Sequence, residues 1–341
     1  MSEMESKVRV VLSRKGFDSS SGGYPSPILP DGTLLSLPIP EKHYLREPKT
    51  KEEKLRWKTW DKKKFHPLVY SDLSLPSSVK EYFKEKELSF TTYQDVLNEL
   101  LPKGEPKVKG DNCANILRWA CHFDPDLIPS VLKRPLEWRC LFGQGGGSET
   151  LLKKHNIGAN DVFLFFGWFQ KSILQKGKLV FDPNDKPGVH LIYGYMQVEY
   201  KISHNENRDK VRTWMSYHPH LNLKAWNNER NAIYVGRKTL SWKEKKPGAG
   251  VFRFHPSLVL TDTTSQNNPR KNRTHWRAEL FPKDLEMEYH KPENHRTECD
   301  EQGNERKYFK AYARGQEFII SDSSKISEWV KSLIVLKEII T

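Results

Sequence analysis

A chain of 341 residues is long enough for one large domain or two ordinary ones, and 36% hydrophobic with 11% aromatic residues is enough to build a core. Lys and Arg outnumber Asp and Glu by 56 to 43, a formal charge of +13, which favours polyanionic partners such as nucleotides or nucleic acid. The 4 cysteines, Cys113, Cys121, Cys140 and Cys299, lack Cys-x-x-Cys spacing, which argues against a zinc ribbon and a disulfide-built secreted scaffold. No basic segment followed by an apolar run opens the chain, and its most apolar stretch, Val162 to Phe169, is too short to cross a bilayer. The expectation is a cytoplasmic protein with reduced thiols and no membrane partner.

The first predicted element is a strand at Val8-Arg9-Val10-Val11-Leu12, running into Ser13-Arg14-Lys15-Gly16-Phe17-Asp18-Ser19 and a turn-rich loop that reaches Asp31-Gly32. Residues 41 to 66 form a basic segment with Trp57 and Trp60 at helical spacing. It reads either as a phosphate-tracking surface or as a solvated helix pinned by its tryptophans. Residues 77 to 134 read as mostly helical. Val79, Tyr82 and Phe83 recur at helical spacing, and Thr92-Tyr93-Gln94-Asp95 is a capping box. Ile116 to Cys121 reads as a buried helix that stops at His122-Phe123-Asp124-Pro125.

The pattern then turns to strands. They are predicted at Trp138–Phe142, Val162–Phe169, Val189–Tyr200, Ala232–Gly236, Val251–Leu260 and Gly315–Ser321, with a helix at Ser148–Asn156 capped by its serine. Ile326, Trp329, Val330 and Leu333 mark an amphipathic C-terminal helix. Strand, helices, many strands and a final helix favour an α+β fold with a mixed or antiparallel sheet over a doubly wound parallel one. A division at 140/141 into a strand-loop plus helical region and a β-rich region is expected, with one integrated domain as the alternative.

Several constellations carry potential chemistry. Arg14, Lys15, Asp18, Ser19 and Asp31 cluster where the first strand ends, the place where scaffolds present binding groups; an ordinary turn-rich loop is the alternative. Gly143-Gln144-Gly145-Gly146-Gly147-Ser148 lies between a strand and a helix, where backbone N–H groups can approach a phosphate. It lacks the Gly-Lys-Ser/Thr of a Walker loop, and a plain connector fits equally. His122, Asp124 and Asp126 at a helix end suit acid–base work or the holding of a metal, or a simple Asp-Pro turn.

His218-Pro219-His220 offers two imidazoles, but no third ligand stands at a familiar spacing, so no metal is expected, and nothing specifies a cofactor. Gln316 and Glu317 sit at the mouth of the last strand. Glu317 paired with Asp18 across a nucleoside-sized hollow would give the two carboxylates of glycosidic-bond cleavage. Trp168 and Tyr195 are candidates for the walls of a base-stacking pocket, although core packing accounts for most rings of their strands.

Taken in order, Ser13-Arg14-Lys15-Gly16-Phe17-Asp18-Ser19 with Ser26-Pro27-Ile28 and Asp31-Gly32, His122-Phe123-Asp124-Pro125-Asp126-Leu127, Phe142-Gly143-Gln144, Asp161 through Phe169, Tyr193-Gly194-Tyr195-Met196-Gln197-Val198, His218-Pro219-His220 and Gly315-Gln316-Glu317-Phe318 span nearly the whole chain. This set of blocks resembles the third nucleotide-modification-associated domain family. The resemblance implies involvement with modified bases or nucleotides in phages or bacterial conflict systems, without settling an activity. The pair of runs Asp161 to Phe169 and Tyr193 to Val198 is also similar to the strand pair of PUA-like barrels, which hold a base in an aromatic pocket.

Three functions follow as expectations. The first is an enzyme acting on a nucleotide or nucleic acid at a glycosidic bond, by hydrolysis or by glycosyl or ADP-ribosyl transfer. It would use Asp18, Glu317, Asp31, His122 and Asp124 as catalytic groups, with Arg14, Lys15, Ser19, Gly143, Gln144, His218, His220 and Gln316 holding substrate. The second is a reader that binds a modified base between Trp168 and Tyr195. The third is a plain interaction subunit.

Overall fold

The computed structural model describes residues 8–19, 21–41, 67–101, 120–263, 272–282, 287–288, 295–299, 305–311, 317–320 and 323–340. Early strands are β1 (Val10–Arg14), β2 (Ser26–Ile28) and β3 (Ile39–Glu41), followed by helices α1 (Ser77–Glu85) and α2 (Tyr93–Leu100) and strand β4 (Ala120–His122). Next come β5 (Leu141–Gly145), α3 (Gly146–Lys154), β6 (Val162–Gln175), β7 (Lys178–Phe181) and β8 (Val189–Ser203). A short α4 (Leu223–Trp226) precedes β9 (Asn231–Gly236), the β10–β11 hairpin (Thr239–Leu240, Lys243–Pro247) and β12 (Ala249–Phe252). Last are β13 (His275–Arg277), β14 (Met287–Glu288), β15 (His295–Cys299), β16 (Glu305–Lys310), β17 (Glu317–Ile320), α5 (Ser324–Leu336) and β18 (Ile339–Ile340).

The fold is α+β. Its main sheet is mixed, in the order β14-β17-β1-β6-β8-β12-β18, with β2 and β7 continuing along β6, and β9 pairing both β8 and β5. Among the described residues the path stays open, and no closed barrel of the PUA-like kind forms. The organising strand is β6. Its opening run of Phe, Leu and Val is buried throughout because β1 lies parallel on one side and β8 antiparallel on the other. β1 in turn pairs antiparallel with β17, Ser13 opposite Glu317. Residues from both ends of the chain therefore meet β6 in one sheet across the 140/141 boundary.

Side chains alternate across the sheet, and that alternation sorts the chemistry. On one face, Phe163 and Phe165 meet Phe142 edge-on, Phe163 also meets Tyr234 edge-on, and Phe142 stacks on Tyr234. On the other, Phe166 and Phe318 meet Trp276, with His190 beside them. Each such ring pair adds about 0.5–1.5 kcal/mol beyond the area it buries.

Several predicted bounds shift. Ala120–His122 is a strand paired with Ile39–Glu41, not the end of a helix, because the partner strand lies far away in sequence; 116–119 fall outside the described residues. The strand expected at Trp138–Phe142 is β5, displaced to Leu141–Gly145. The next helix starts at Gly146 with Gly145 at its N-cap, so Ser148 is not the cap. Of Val251–Leu260 only Val251 and Phe252 are strand, at the end of Ala249–Phe252; Pro256–Leu258 is a helical turn. The basic segment after Glu41 and the loop Pro102–Gly110 also lie outside the described residues.

The capping box at Thr92 forms as predicted: its hydroxyl accepts from the Asp95 N–H, while the Asp95 carboxylate accepts from the Thr91 and Thr92 N–H groups. Thr92→Ala is expected to lower stability by about 1 kcal/mol in urea denaturation. No loss would mean that Asp95 holds the helix start alone.

Candidate functional site

The alternation along β1 parts two neighbouring cations. Ser13 and Lys15 belong to the Phe165 face and Arg14 to the other. The Lys15 N–H donates to the Phe166 carbonyl at 2.9 Å. Gly16 then takes a φ of +82° that lets the chain leave the sheet at once; a Cβ there would lie 2.6 Å from Ser36 Oγ.

Arg14, on the far face, reaches Asp18 at 3.3 Å, and Asp18 also accepts from the Ser21 N–H. Glu317, opposite Ser13, accepts from the Ser13 hydroxyl at 3.1 Å and from the Gln144 amide. Asp18 and Glu317 are thus held on opposite faces of one sheet, and no hollow joins them among the described residues. Glu317 is itself 1% exposed rather than open to a cleft, because the sheet is covered on both faces.

The group that does converge lies on the Lys15 face, around Asp124. β3 and β4 bring His122 to Glu41, and the His122 Nδ1–H donates to Glu41 Oε1 at 2.6 Å. The turn Pro219–Leu221 carries His218 and His220. On β9, Asn231 donates its amide to the His220 carbonyl, so its Oδ1 accepts the His220 Nδ1–H at 2.6 Å.

Asp124, with a fully buried side chain, receives the Gly143 N–H on Oδ1 at 2.7 Å, with His218 Nε2 at 3.4 Å from the same oxygen. Its Oδ2 lies 3.7 Å from His122 Nε2, 3.9 Å from His220 Nε2 and 3.8 Å from Lys15 Nζ, and accepts no hydrogen bond among the described residues. Lys15 also lies 4.6 Å from the centre of the Phe142 ring. Gly143 provides the room: a Cβ there would meet His220 Cδ2 at 2.2 Å and His218 Cε1 at 2.8 Å.

The electrostatics follow from burial and charge together. Burial pushes Asp124 up, but the Lys15 ammonium and the imidazoles of His122 and His218 outweigh it and hold the carboxyl well below its usual range. Burial opposes charge on His122, yet the Asp124 and Glu41 carboxylates raise it to about 9. His220 is held down to about 3, by burial first, with Asp124 only partly offsetting it. Glu317 moves the other way from Asp124. Burial raises it, against the Lys15 ammonium and the hydroxyls of Ser148 and Ser13.

Beside Glu317 along α3, Glu149 accepts from the Tyr234 hydroxyl at 2.9 Å and lies 3.9 Å from Lys201 Nζ. Burial lifts it from 4.5 to about 7. A carboxyl with a raised folded-state pKa binds its proton more tightly in the native state. Its cost is therefore absent below about pH 4.5 and complete above about pH 7. Glu149→Gln is expected to stabilise the protein at pH 8.5 by roughly 2–3 kcal/mol and to change little at pH 4.5. Equal effects at both pH values in urea titrations would refute this.

The remaining candidates are dispersed. Asp31 closes its own turn, accepting from the Thr33 N–H and hydroxyl. Ser19 is exposed, and Gln316 lies outside the described residues. Gln144 supports Glu317. The Trp168 ring is covered by the Arg273 guanidinium at 3.6 Å, while Tyr195 is buried against Phe252 with its hydroxyl donating to the Pro247 carbonyl. The two rings therefore have separate partners and enclose no base between them. A cavity of about 20 Å³ beside Asp124, lined also by Gly16, Ser36 and Tyr193, has room for one water, not a nucleoside.

His122, Asp124, His218, His220, Lys15, Gly143, Gln144 and Glu317 were legible as chemistry-bearing residues. Glu41 and Asn231 were missed. They stand 81 and 11 residues from the imidazoles they orient, and no local spacing marks them. The buried thiols Cys121 and Cys140 form no disulfide and take no part in the cluster.

Among the described residues, no helix is long and apolar enough to cross a membrane. No curated protein and no solved structure matches the chain. The sequence model of one family, described as nucleotide modification associated domain 3, matches residues 9–321, which covers the Lys15, Asp124 and His220 segments together with Glu317. The chain belongs to the nucleotide modification associated domain 3 family, and its role is tied to modified nucleotides.

Proposed function

We propose that the protein is an enzyme that acts on a nucleotide or nucleic acid at a glycosidic bond, by hydrolysis or by transfer, in the chemistry of modified bases in phages or the systems that oppose them. One observation carries this reading: Lys15 acts on both the Asp124 cluster and Glu317, two buried acid sites on one face of the sheet. Breaking a glycosidic bond requires a proton for the departing group and a polarised nucleophile for the sugar. Glu317, whose burial favours its protonated form, supplies the proton once substrate entry uncovers it. The Asp124 cluster orients the attacking water or acceptor, and Lys15 meets the phosphate or the developing negative charge.

The alternative of a base reader has less support, since Trp168 and Tyr195 are occupied by Arg273 and Phe252. The test is incubation of the protein with modified and unmodified nucleotides and DNA, read by mass spectrometry for released base or transferred sugar. Product from the wild type but not from Glu317→Gln is expected. No product from any substrate, or full activity in the variant, overturns the reading.

A further inference from the structure

We infer that His122, Asp124 and His220 form a binding site for a divalent first-row transition-metal ion. One ligand atom from each of the three residues lies within 4.8 Å of the other two, and Asp124 Oδ2 faces Nε2 of both imidazoles. Bonds of about 2.1 Å to nitrogen and oxygen place tetrahedral ligands roughly 3.4 Å apart. The observed 3.7 and 3.9 Å from Asp124 Oδ2 therefore close with side-chain shifts of a few tenths of an ångström.

The orientation of each ligand is already fixed by a second partner. His122 donates Nδ1–H to Glu41, and His220 donates Nδ1–H to Asn231, so both turn Nε2 inward. Metal-bound histidines are oriented in this way by a carboxylate or carbonyl on the other ring nitrogen. Asp124 is divided in the same sense. Gly143 and His218 occupy Oδ1, and Oδ2, buried and without a hydrogen bond among the described residues, faces the two imidazoles. A buried carboxylate oxygen and two imidazole nitrogens converging on one point form a donor set that fits a metal cation.

Two imidazoles and one carboxylate suit zinc, iron, manganese, cobalt or nickel better than calcium or magnesium, and the absence of thiolate disfavours copper(I). Three protein ligands leave positions open for water or substrate. One carboxylate only half-neutralises a dication, and Lys15 adds a further positive charge 3.8 Å from the same oxygen. The open positions therefore select an anionic ligand such as hydroxide or a phosphate oxygen. If the glycosidic reading holds, the same site would activate the attacking water; the metal assignment itself does not depend on that reading.

The test uses the full chain, stripped with a chelator and titrated with Co²⁺ and then Zn²⁺, following visible absorbance and bound metal per chain. One ion per chain is expected, with cobalt bands of low coordination number that zinc displaces. His220→Ala should weaken binding by at least about 100-fold, and Glu41→Gln, which alters only an orienting partner, by about 10–100-fold. His255→Gln, at an exposed histidine hydrogen-bonded to Ser257, should bind as the wild type does.

Substoichiometric binding, or affinity unchanged in both His220→Ala and Glu41→Gln, overturns the assignment. If His220→Ala fails to fold, Glu41→Gln decides alone. One ion bound with no product in the nucleotide screen sinks the glycosidic reading only. Product that persists in a chain unable to bind metal sinks the ion's part in activating the attacking water only.

Discussion

Glu317→Gln is expected to lower turnover by about 10²–10⁴-fold, the range ascribed to a positioned proton donor, without lowering the unfolding midpoint. The amide fills the same space. It can still accept from the Ser13 hydroxyl and meet Gln144, so the β1–β17 pairing that frames it stays intact. What it cannot do is release a proton. Because burial raises the Glu317 pKa, the protonated acid persists to higher pH than an exposed glutamate would, and activity should fall as pH rises through that raised value.

Asp18→Asn provides the contrast. Asp18 lies on the opposite face beside Arg14, so its loss should leave the chemical step within about threefold of the wild type. Single-turnover rates of the two variants decide the matter. If Asp18→Asn is dead and Glu317→Gln active, the chemistry belongs to the Arg14 face and the present assignment is wrong.

Much of this was legible because it is local. The capping box at Thr92, the long apolar strand at Val162 and the amphipathic helix over Ile326, Trp329, Val330 and Leu333 follow from short-range patterns. Individual residues of the Asp124 cluster also stood out by type. Their convergence did not. His122 and His220 meet only because β4 pairs with β3 and the Pro219–Leu221 turn packs beside β5, contacts that span dozens of residues.

The alternation decides against pairing Asp18 with Glu317 only once the register is known: Ser13 and Lys15 share a face that Arg14 and the turn it holds do not, and the β1–β17 pairing sets Glu317 opposite Ser13. The misassigned helix at Ala120 has a different cause. An apolar run of that length fits a buried strand and a buried helix equally well, and only the distant partner at Ile39–Glu41 decides between them.

Removing Asp126 should produce the largest change in stability. Asp126, two residues beyond Asp124, is fully buried and accepts from Arg134 at 2.5 Å, from the Trp138 indole at 3.3 Å and from the Tyr217 hydroxyl. Arg134 in turn donates to the Tyr217 hydroxyl and lies over the rings of Trp138 and Tyr217. Burial nonetheless raises the Asp126 pKa despite that guanidinium, so the intact pair contributes little net stability.

Taking away one partner is a different matter, because it leaves the Arg134 charge, 8% exposed, without its counterion. Asp126→Ala is therefore expected to cost about 3–5 kcal/mol, whereas Asp126→Leu combined with Arg134→Met should recover most of that loss. The single variant should also loosen the Asp124 segment and weaken any function of the cluster, because the Asp126 N–H and carbonyl both bond Leu141 and hold that segment against β5. Urea denaturation of the single and double variants separates the two contributions. A double variant no more stable than Asp126→Ala would mean that the pair itself stabilises the fold, contrary to the direction set by its burial.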